Sequence, residues 1–375
     1  MTPSGPLSPG VAVIAANCGW NILNFRKPLV EALLSSGWRV VALAAEDGSA
    51  AQIRSLGAEF VPIAIDGAGT SVWRDARLLR DYRRVLRDLR PQALLAFTIK
   101  PNIYGSLAAL GLGIRVVNNI SGLGSAFLRP GPLNWLVRGL YRLALHSSDC
   151  IFFQNSHDLE LFVSARLVRP GQAKLVPGSG VDLEHFRPVE ERGGAPGQLR
   201  FLFVGRLLRD KGLVEFAEAA RLLRGRWPLA EFAILGPAGS TNPSAVPIAE
   251  VERWQAQGLV SYLGETDDVR PFIAQADCIV LPSYREGLPR SLLEAAAMAQ
   301  PMIATDVPGC SAVVDHGKTG LLCAARSPQS LADAMAAMLR LDRAQRTAMG
   351  RRARAKVERD FDQALVVRAY EEVLR

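Results

Sequence analysis

Leu281-Pro282-Ser283-Tyr284-Arg285-Glu286-Gly287-Leu288-Pro289-Arg290-Ser291-Leu292-Leu293-Glu294-Ala295-Ala296-Ala297-Met298-Ala299 reads as the end of a buried strand, a short polar loop and a helix. The preceding Cys278-Ile279-Val280-Leu281 is an apolar run of strand length. Pro289 suits the first turn of a helix, where a missing N–H is no loss. Leu292, Leu293 and the alanines are good helix formers with a small-residue face. Such a junction offers backbone N–H groups at a helix N-terminus, a natural seat for a phosphate. Glu286 in the loop and Glu294 in the second helical turn flank that seat. A ligand with phosphates in the middle and a hydroxyl-bearing group at each end has the matching shape, as a nucleoside diphosphate sugar does.

Outward from this stretch, short apolar runs alternate with helical stretches in two series. In the first, strands are expected at 11–15, 39–44, 59–65, 93–97, 115–119, 150–154 and 173–176. The segment 188–198 carries charges, two adjacent glycines and a proline without periodicity, and reads as a linker. The alternation restarts with strands at 200–204, 231–235, 260–263, 278–281 and 302–305, and with helices near 212–224, 329–341 and 343–360. The expected organisation is therefore domain 1–187, linker 188–198, domain 199–360, and a final helix 361–375 that can pack back on the first domain. Strand–helix alternation of this kind implies an α/β protein with two Rossmann-like, doubly wound parallel sheets. Ligands in such folds sit at the carboxyl ends of strands, and a cleft between the two halves is the expected site.

At 375 residues, two domains are the default. The formal charge is +8, and only six of the 44 basic residues are lysines. A basic surface favours anionic partners such as sugar nucleotides or phospholipid headgroups. The cations are scattered and lack interleaved aromatics, so no nucleic acid is expected as a partner. Five widely spaced cysteines with no Cys-x-x-Cys read as reduced thiols of a cytoplasmic protein. Neither a signal peptide nor a spanning helix is apparent, so any membrane contact would be peripheral, at the inner face of the cytoplasmic membrane.

A second motif opens the second series. Phe203-Val204-Gly205-Arg206-Leu207, then Arg209-Asp210-Lys211-Gly212, reads as a strand ending in glycine with two cations before the next helix. Arginine can clamp two phosphate oxygens and lysine can act as a point charge. On its own this could equally be a strand–helix turn with solvated charges; the loop at 282–289 tilts the reading to phosphate.

Taken in order, Gly205-Arg206, Lys211-Gly212, Pro282-Ser283, Glu286-Gly287 and Glu294 seven intervening residues later make the chain resemble retaining GT-B glycosyltransferases of family 4 (glycosyl transferases group 1). The resemblance extends over nearly the whole chain, and its specific motifs lie in the second half. It implies that Arg206 and Lys211 neutralise a donor diphosphate, with backbone N–H groups near Gly287 and Leu288 as the second phosphate contact. It also implies that Glu294 holds the ribose and that Glu286 grips the transferred sugar and stabilises the transition state, making Glu286, Arg206 and Lys211 the catalytic set. Cations and a helix N-terminus can stabilise the departing diphosphate, and a carboxylate suits the positive charge that builds on the sugar. The four histidines are isolated in the sequence and no Asp-x-Asp stands in a suitable loop, so no metal and no cofactor are expected. Retention of configuration is implied by the family alone.

The first half then binds the acceptor. Asn17-Cys18-Gly19-Trp20-Asn21 has one glycine where many relatives have paired glycines. Thr98 and Lys100 stand where relatives often carry a histidine. Lys100 could pair with an acceptor phosphate, help the donor, or serve only in the loop. Asn118-Asn119-Ile120-Ser121-Gly122-Leu123-Gly124 resembles another cleft loop, so Asn17, Gly19, Lys100 and Asn119 are the acceptor-side candidates. Thr98-Ile99-Lys100-Pro101-Asn102 with Ser121-Gly122-Leu123-Gly124 is similar to bacterial members that build capsule, lipopolysaccharide or glycan precursors on a lipid diphosphate. The partners implied are a nucleotide sugar, a UDP-hexose or UDP-N-acetylhexosamine, and a lipid-linked saccharide. Residues 132–145 mix aliphatics, Trp135, Tyr141 and arginines, and could lie on a membrane surface or simply face the core. A sugar-nucleotide epimerase of the same fold and an inactive binding protein are the rival readings. Gly317-Lys318-Thr319 is no P-loop, because Ala312 stands where the leading glycine is needed.

Overall fold

A computed structural model of the chain describes residues 9–66, 71–122, 131–189, 199–240 and 242–375, without the side chains of Pro132 and Leu133. Most of the glycine-rich loop 120–131 and of the expected linker therefore lies outside the described residues. The chain forms two units, one made of the residues up to Ser179 with Gln363–Arg375, the other of Gly180–Asp362.

The first unit is built on strands β1 (Val11–Cys18), β2 (Arg39–Ala45), β3 (Glu59–Pro62), β4 (Ala93–Phe97), β5 (Arg115–Ile120), β6 (Cys150–Phe153) and β7 (Ala173–Leu175). All are parallel, in the order β3-β2-β1-β4-β5-β6-β7. Their near-continuous apolar runs reflect burial on both faces. Ala12 and Ile14 pack under the helix Gly19–Ser35 and the C-terminal helix. Val13 and Ala15 pack under the helix Val72–Leu89 through Leu78, Tyr82 and Leu86.

The second unit holds β8 (Arg200–Val204), β9 (Glu231–Leu235), β10 (Ser261–Tyr262), β11 (Cys278–Leu281), β12 (Met302–Thr305) and β13 (Gly320–Cys323). They too are parallel, in the order β10-β9-β8-β11-β12-β13. β10 keeps only two residues of the expected 260–263. β13 is an element the sequence pattern does not mark, since four residues behind the turn Gly317-Lys318-Thr319 carry no period of their own. Thr319 Oγ1 accepts the Asp315 N–H at 2.8 Å, which makes that turn a strand lead-in.

Two boundaries differ from the expectation. Residues 180–187 belong with the second unit, because Val181 and Phe186 are buried in its core and the Val181 N–H bonds Phe361 O at 2.9 Å. The chain returns to the first unit at Gln363. The helix Gln363–Leu374 buries Val366, Tyr370 and Leu374 there, with the Tyr370 ring 4.8 Å from Phe152 and 5.8 Å from Phe97.

In each sheet the strand order reverses once, between β1 and β4 in the first and between β8 and β11 in the second. At such a reversal the flanking crossovers leave on opposite faces and open a crevice at the strands' carboxyl ends.

Candidate active site

In the second unit the reversal falls between the two motifs that the sequence singles out. β8 runs into Gly205-Arg206 and β11 into Pro282–Glu286, so the paired strands deliver both loops to one place. Gly212 seals them together: its backbone is left-handed (φ +74°), and a Cβ there would lie 2.0 Å from Pro282 O. The Tyr284 N–H bonds Asp210 O at 2.9 Å. From below, the Thr305 hydroxyl donates to Ser283 O. Gly309 packs so closely that a Cβ would sit 2.5 Å from both Glu286 O and Gly287 O.

These constraints bring Lys211 Nζ to 2.5 Å from Glu286 Oε1, with the side chains 23% and 11% exposed. Arg206 is exposed one residue beyond Gly205. Gly287 and Leu288 are half-buried between Glu286 and the helix Arg290–Ala297. Pro289 stands one position earlier than expected, as the extended residue before the helix (φ −75°, ψ 117°), and no side chain caps that helix. Glu294 is buried one turn in, where Arg290 Nε meets its Oε1 at 2.7 Å. Burial raises its pKa and outweighs the opposing charge and hydrogen bond of Arg290.

Two neighbours escape sequence reasoning. The Tyr284 hydroxyl donates to Glu215 Oε1 at 2.6 Å, and Arg326 lies 4.6 Å over the Tyr284 ring. Burial, then the Glu215 carboxylate, push the Tyr284 pKa well up, so it remains a donor. Glu215 sits in the first turn of the helix Leu213–Arg224, where acidic residues are common for helix-dipole reasons, so the sequence gives no signal.

The first unit's reversal is built differently. Asn17, near the end of β1, receives a 2.8 Å hydrogen bond on Oδ1 from the Thr98 hydroxyl, and its own N–H donates to Thr98 Oγ1 at 3.1 Å. Thr98, just past β4, has a left-handed backbone (φ +66°), a strained state for a β-branched residue and one that clusters at functional sites. Gly19 has room for no side chain, since a Cβ would lie 2.9 Å from Ser49 Cβ. Asp47 accepts from the N–H of Trp20 at 2.7 Å and of Ser49 at 3.1 Å. Burial would raise the Asp47 pKa, but those donors together bring it below its usual value. Lys100 is buried against Asp75 at 2.6 Å, and the Tyr104 hydroxyl donates to the other Asp75 oxygen at 2.8 Å. Asn119 does not line a surface: it is fully buried, donating to the Tyr370 hydroxyl at 2.9 Å and accepting from Gln154 at 3.2 Å. It ties the C-terminal helix to β5. So Asn17 lies at the end of β1, Gly19 just after it and Lys100 after β4, while Asn119 belongs to the core.

Residues 198–341 match the family of glycosyl transferases group 1, and residues 26–179 match the glycosyl transferase 4-like domain. The chain belongs to the group 1 glycosyltransferases. A relative from Campylobacter jejuni, an N,N'-diacetylbacillosaminyl-diphospho-undecaprenol alpha-1,3-N-acetylgalactosaminyltransferase, is 25% identical over 86% of the chain and 88% of its own length. The amylovoran biosynthesis glycosyltransferase of Erwinia amylovora is 29% identical over 55% of the chain and about half (51%) of its own length. Among solved structures, that of Anabaena Alr3699/HepE in complex with UDP-glucose has a TM-score of 0.78 at 16% identity, covering 97% of this chain and 99% of that one. It shows the shared GT-B fold. In this glycosyltransferase no three His, Cys, Asp or Glu residues gather as a metal site among the described residues. No described helix is long and apolar enough to cross a membrane.

Proposed function

We propose that the chain moves a hexose or N-acetylhexosamine from a UDP-sugar to a lipid-diphosphate-linked saccharide in bacterial surface-polysaccharide biosynthesis, with retention and without a metal. The carrying observation is the meeting of Lys211 and Glu286 at the second unit's strand reversal, with Glu294 one helical turn away. The ion pair is part exposed, so it can open when a diphosphate arrives. Lys211 then turns to the phosphates beside Arg206 and the N–H groups near Gly287 and Leu288. Glu286 is released to the hydroxyls of the transferred sugar, and Glu294 accepts from the ribose. As the bond from the anomeric carbon to phosphate oxygen breaks, its electron pair leaves with the UDP. The cations stabilise the charge that develops there, and Glu286 faces the positive anomeric centre. The acceptor hydroxyl attacks that carbon from the same face, and its proton goes to the departing phosphate oxygen.

The acceptor belongs on the first unit, near Asn17, Gly19 and Lys100. The printed activity of the Campylobacter relative, on a sugar held by diphospho-undecaprenol, supports a lipid-linked acceptor. An exposed aromatic and basic surface also supports a membrane-held acceptor. The helix Pro132–Leu145 exposes Trp135 (77%), Leu136 and Leu143, and the helix Val72–Leu89 exposes Trp73 (88%) beside Arg77, Arg80, Arg84 and Arg87. Both pack against the turn Pro101–Gly105, so they share one face of the sheet. Trp and Arg together suit an anionic bilayer surface. The test of the whole reading is release of UDP from UDP-sugars in the presence of a diphospho-undecaprenyl saccharide. Turnover that Glu286→Gln leaves unchanged would refute it.

A further inference from the structure

The first unit holds a cavity of about 660 Å³ at the carboxyl ends of β2 and β3. Its charged wall is Glu46 after β2, Asp66 after β3, Arg74, Asp75 and Arg77 from the start of the helix Val72–Leu89, and Lys100 after β4. The volume is that of a small-molecule site, where pockets run from about 300 to 1,000 Å³.

The charges balance, three carboxylates against three cations. Four of them are paired in place, Lys100 with Asp75 at 2.6 Å and Arg74 with Asp66 at 2.8 Å, while Arg77 meets Asp81 at 3.8 Å outside the lining. A pocket for phosphate would leave cations in excess. A pocket for a metal would gather carboxylates without cations between them. Acceptors and donors in equal number instead match a ligand whose groups each donate and accept, as sugar hydroxyls do. Pro62 and Ile65 in the same wall offer an apolar patch for the C–H face of a sugar ring. Asp75 is the best-placed acceptor: Lys100 and Tyr104 each hold one of its oxygens, so it is fixed, and a carboxylate has about four acceptor sites in all.

We propose that this cavity binds an uncharged pyranose ring of the acceptor, with Asp75 accepting from its hydroxyls and the Arg74 guanidinium donating to them. It rests on the transferase reading above and adds to it the acceptor's chemical class: a neutral sugar, neither a uronate nor the diphosphate. Lys100 acts here as the residue that holds Asp75, not as a phosphate contact.

Saturation-transfer NMR on the full chain tests this with methyl glycosides of neutral hexoses and N-acetylhexosamines, a methyl glucuronide, and inorganic pyrophosphate. The neutral glycosides should give transfer that falls about tenfold in Asp75→Asn and in Arg74→Ala, the loss of one polar contact of about 1.4 kcal/mol. Arg74 and Asp66 form a surface pair, so Arg74→Ala keeps the test valid if Asp75→Asn fails to fold. UDP binding, followed by thermal shift, should be the same in both variants and wild type. Transfer unaffected by either variant overturns the proposal. So does displacement of the Arg74-dependent signal by pyrophosphate or the glucuronide, which would make the cavity an anion site. If instead UDP and UDP-sugars do not bind the wild-type chain, it is the transferase reading that fails.

Discussion

The two sheets share a strand order through all six strands of the second, 3-2-1-4-5-6, yet their reversal points are built from different chemistry. In the second unit, glycine backbones clamp two loops until Lys211 and Glu286 touch. In the first unit, neutral side chains bridge the strands, with Asn17 on Thr98, and the charged pair Lys100–Asp75 lies to one side in its own cavity. Topology therefore fixes where each site lies, and the residues following the strands decide what it can hold. An ion pair beside the exposed Arg206 suits a diphosphate, while a lining with as many carboxylates as cations suits a neutral sugar.

The sharpest break of this comparison is Glu286→Gln against Lys100→Ala. The first should lower kcat about 10²–10³-fold, the loss expected when one preorganised charge is taken from a transition state. The second should raise the acceptor KM with kcat nearly kept, because it loosens a binding group. Steady-state kinetics with both substrates varied would show this. Equal kcat losses in both variants would erase the division between the two units.

Gly212→Ala is the next largest effect. It combines left-handed strain with a Cβ 2.0 Å from a carbonyl oxygen, and should cost about 3 kcal/mol or more. Gly113 has nearly the same backbone (φ +70°) with nothing within 4 Å, so Gly113→Ala should cost only about 1–2 kcal/mol. Denaturant midpoints, with UDP-dependent stabilisation reporting on the second unit, would separate them. Equal shifts would mean that loop contact adds nothing to the strain.

Much of the fold was legible in the chain. Strands buried on both faces announce themselves as apolar runs, and Glu286 with Glu294 stand at a spacing joined to a phosphate-type loop. What was hidden depended on distant partners. Asp75 and Glu215 occupy first helical turns, where an acid is ordinary, and only the folded chain brings Lys100 to one and Tyr284 to the other. Asn119 ends the expected strand 115–119 and reads as cleft-facing because the residues that follow it are polar and glycine-rich. Its true partner, Tyr370, lies 251 residues away, and a single sequence cannot display that pairing. The boundary near 180 was missed for a similar reason: Val181 and Phe186 are short isolated apolars whose core is formed later in the chain.

Glu294→Gln should weaken UDP binding about tenfold at neutral pH, the value of one charged hydrogen-bonding group. Burial lifts the Glu294 pKa above the usual 4.5. Between the usual and raised values the folded chain holds the extra proton, so this group's contribution to stability falls as pH rises through the raised pKa. At neutral pH the substitution should therefore not lower the melting temperature of the free protein. In wild type, UDP affinity should decline as pH falls through that pKa, because the neutral acid no longer accepts both ribose hydroxyls. The variant should lose that decline. Calorimetric titration across pH checks it, and parallel profiles for the two proteins would remove Glu294 from the ribose site.

Tyr370→Phe should give the smallest effect, and the most local one. The ring stays packed between Phe97 and Phe152, so no cavity forms. What is lost is the hydroxyl that accepts from Asn119 Nδ2, leaving a buried amide N–H without that partner at a cost of about 1–2 kcal/mol. The tie joins the C-terminal helix to β5, both inside the first unit. Hydrogen exchange should therefore quicken in 363–374 and in β5, while protection in β8 and β11 and the affinity for UDP stay as in wild type. Because the chain enters this helix directly from the second unit at Asp362, a change in UDP affinity would mean that the two reversal points are coupled through it.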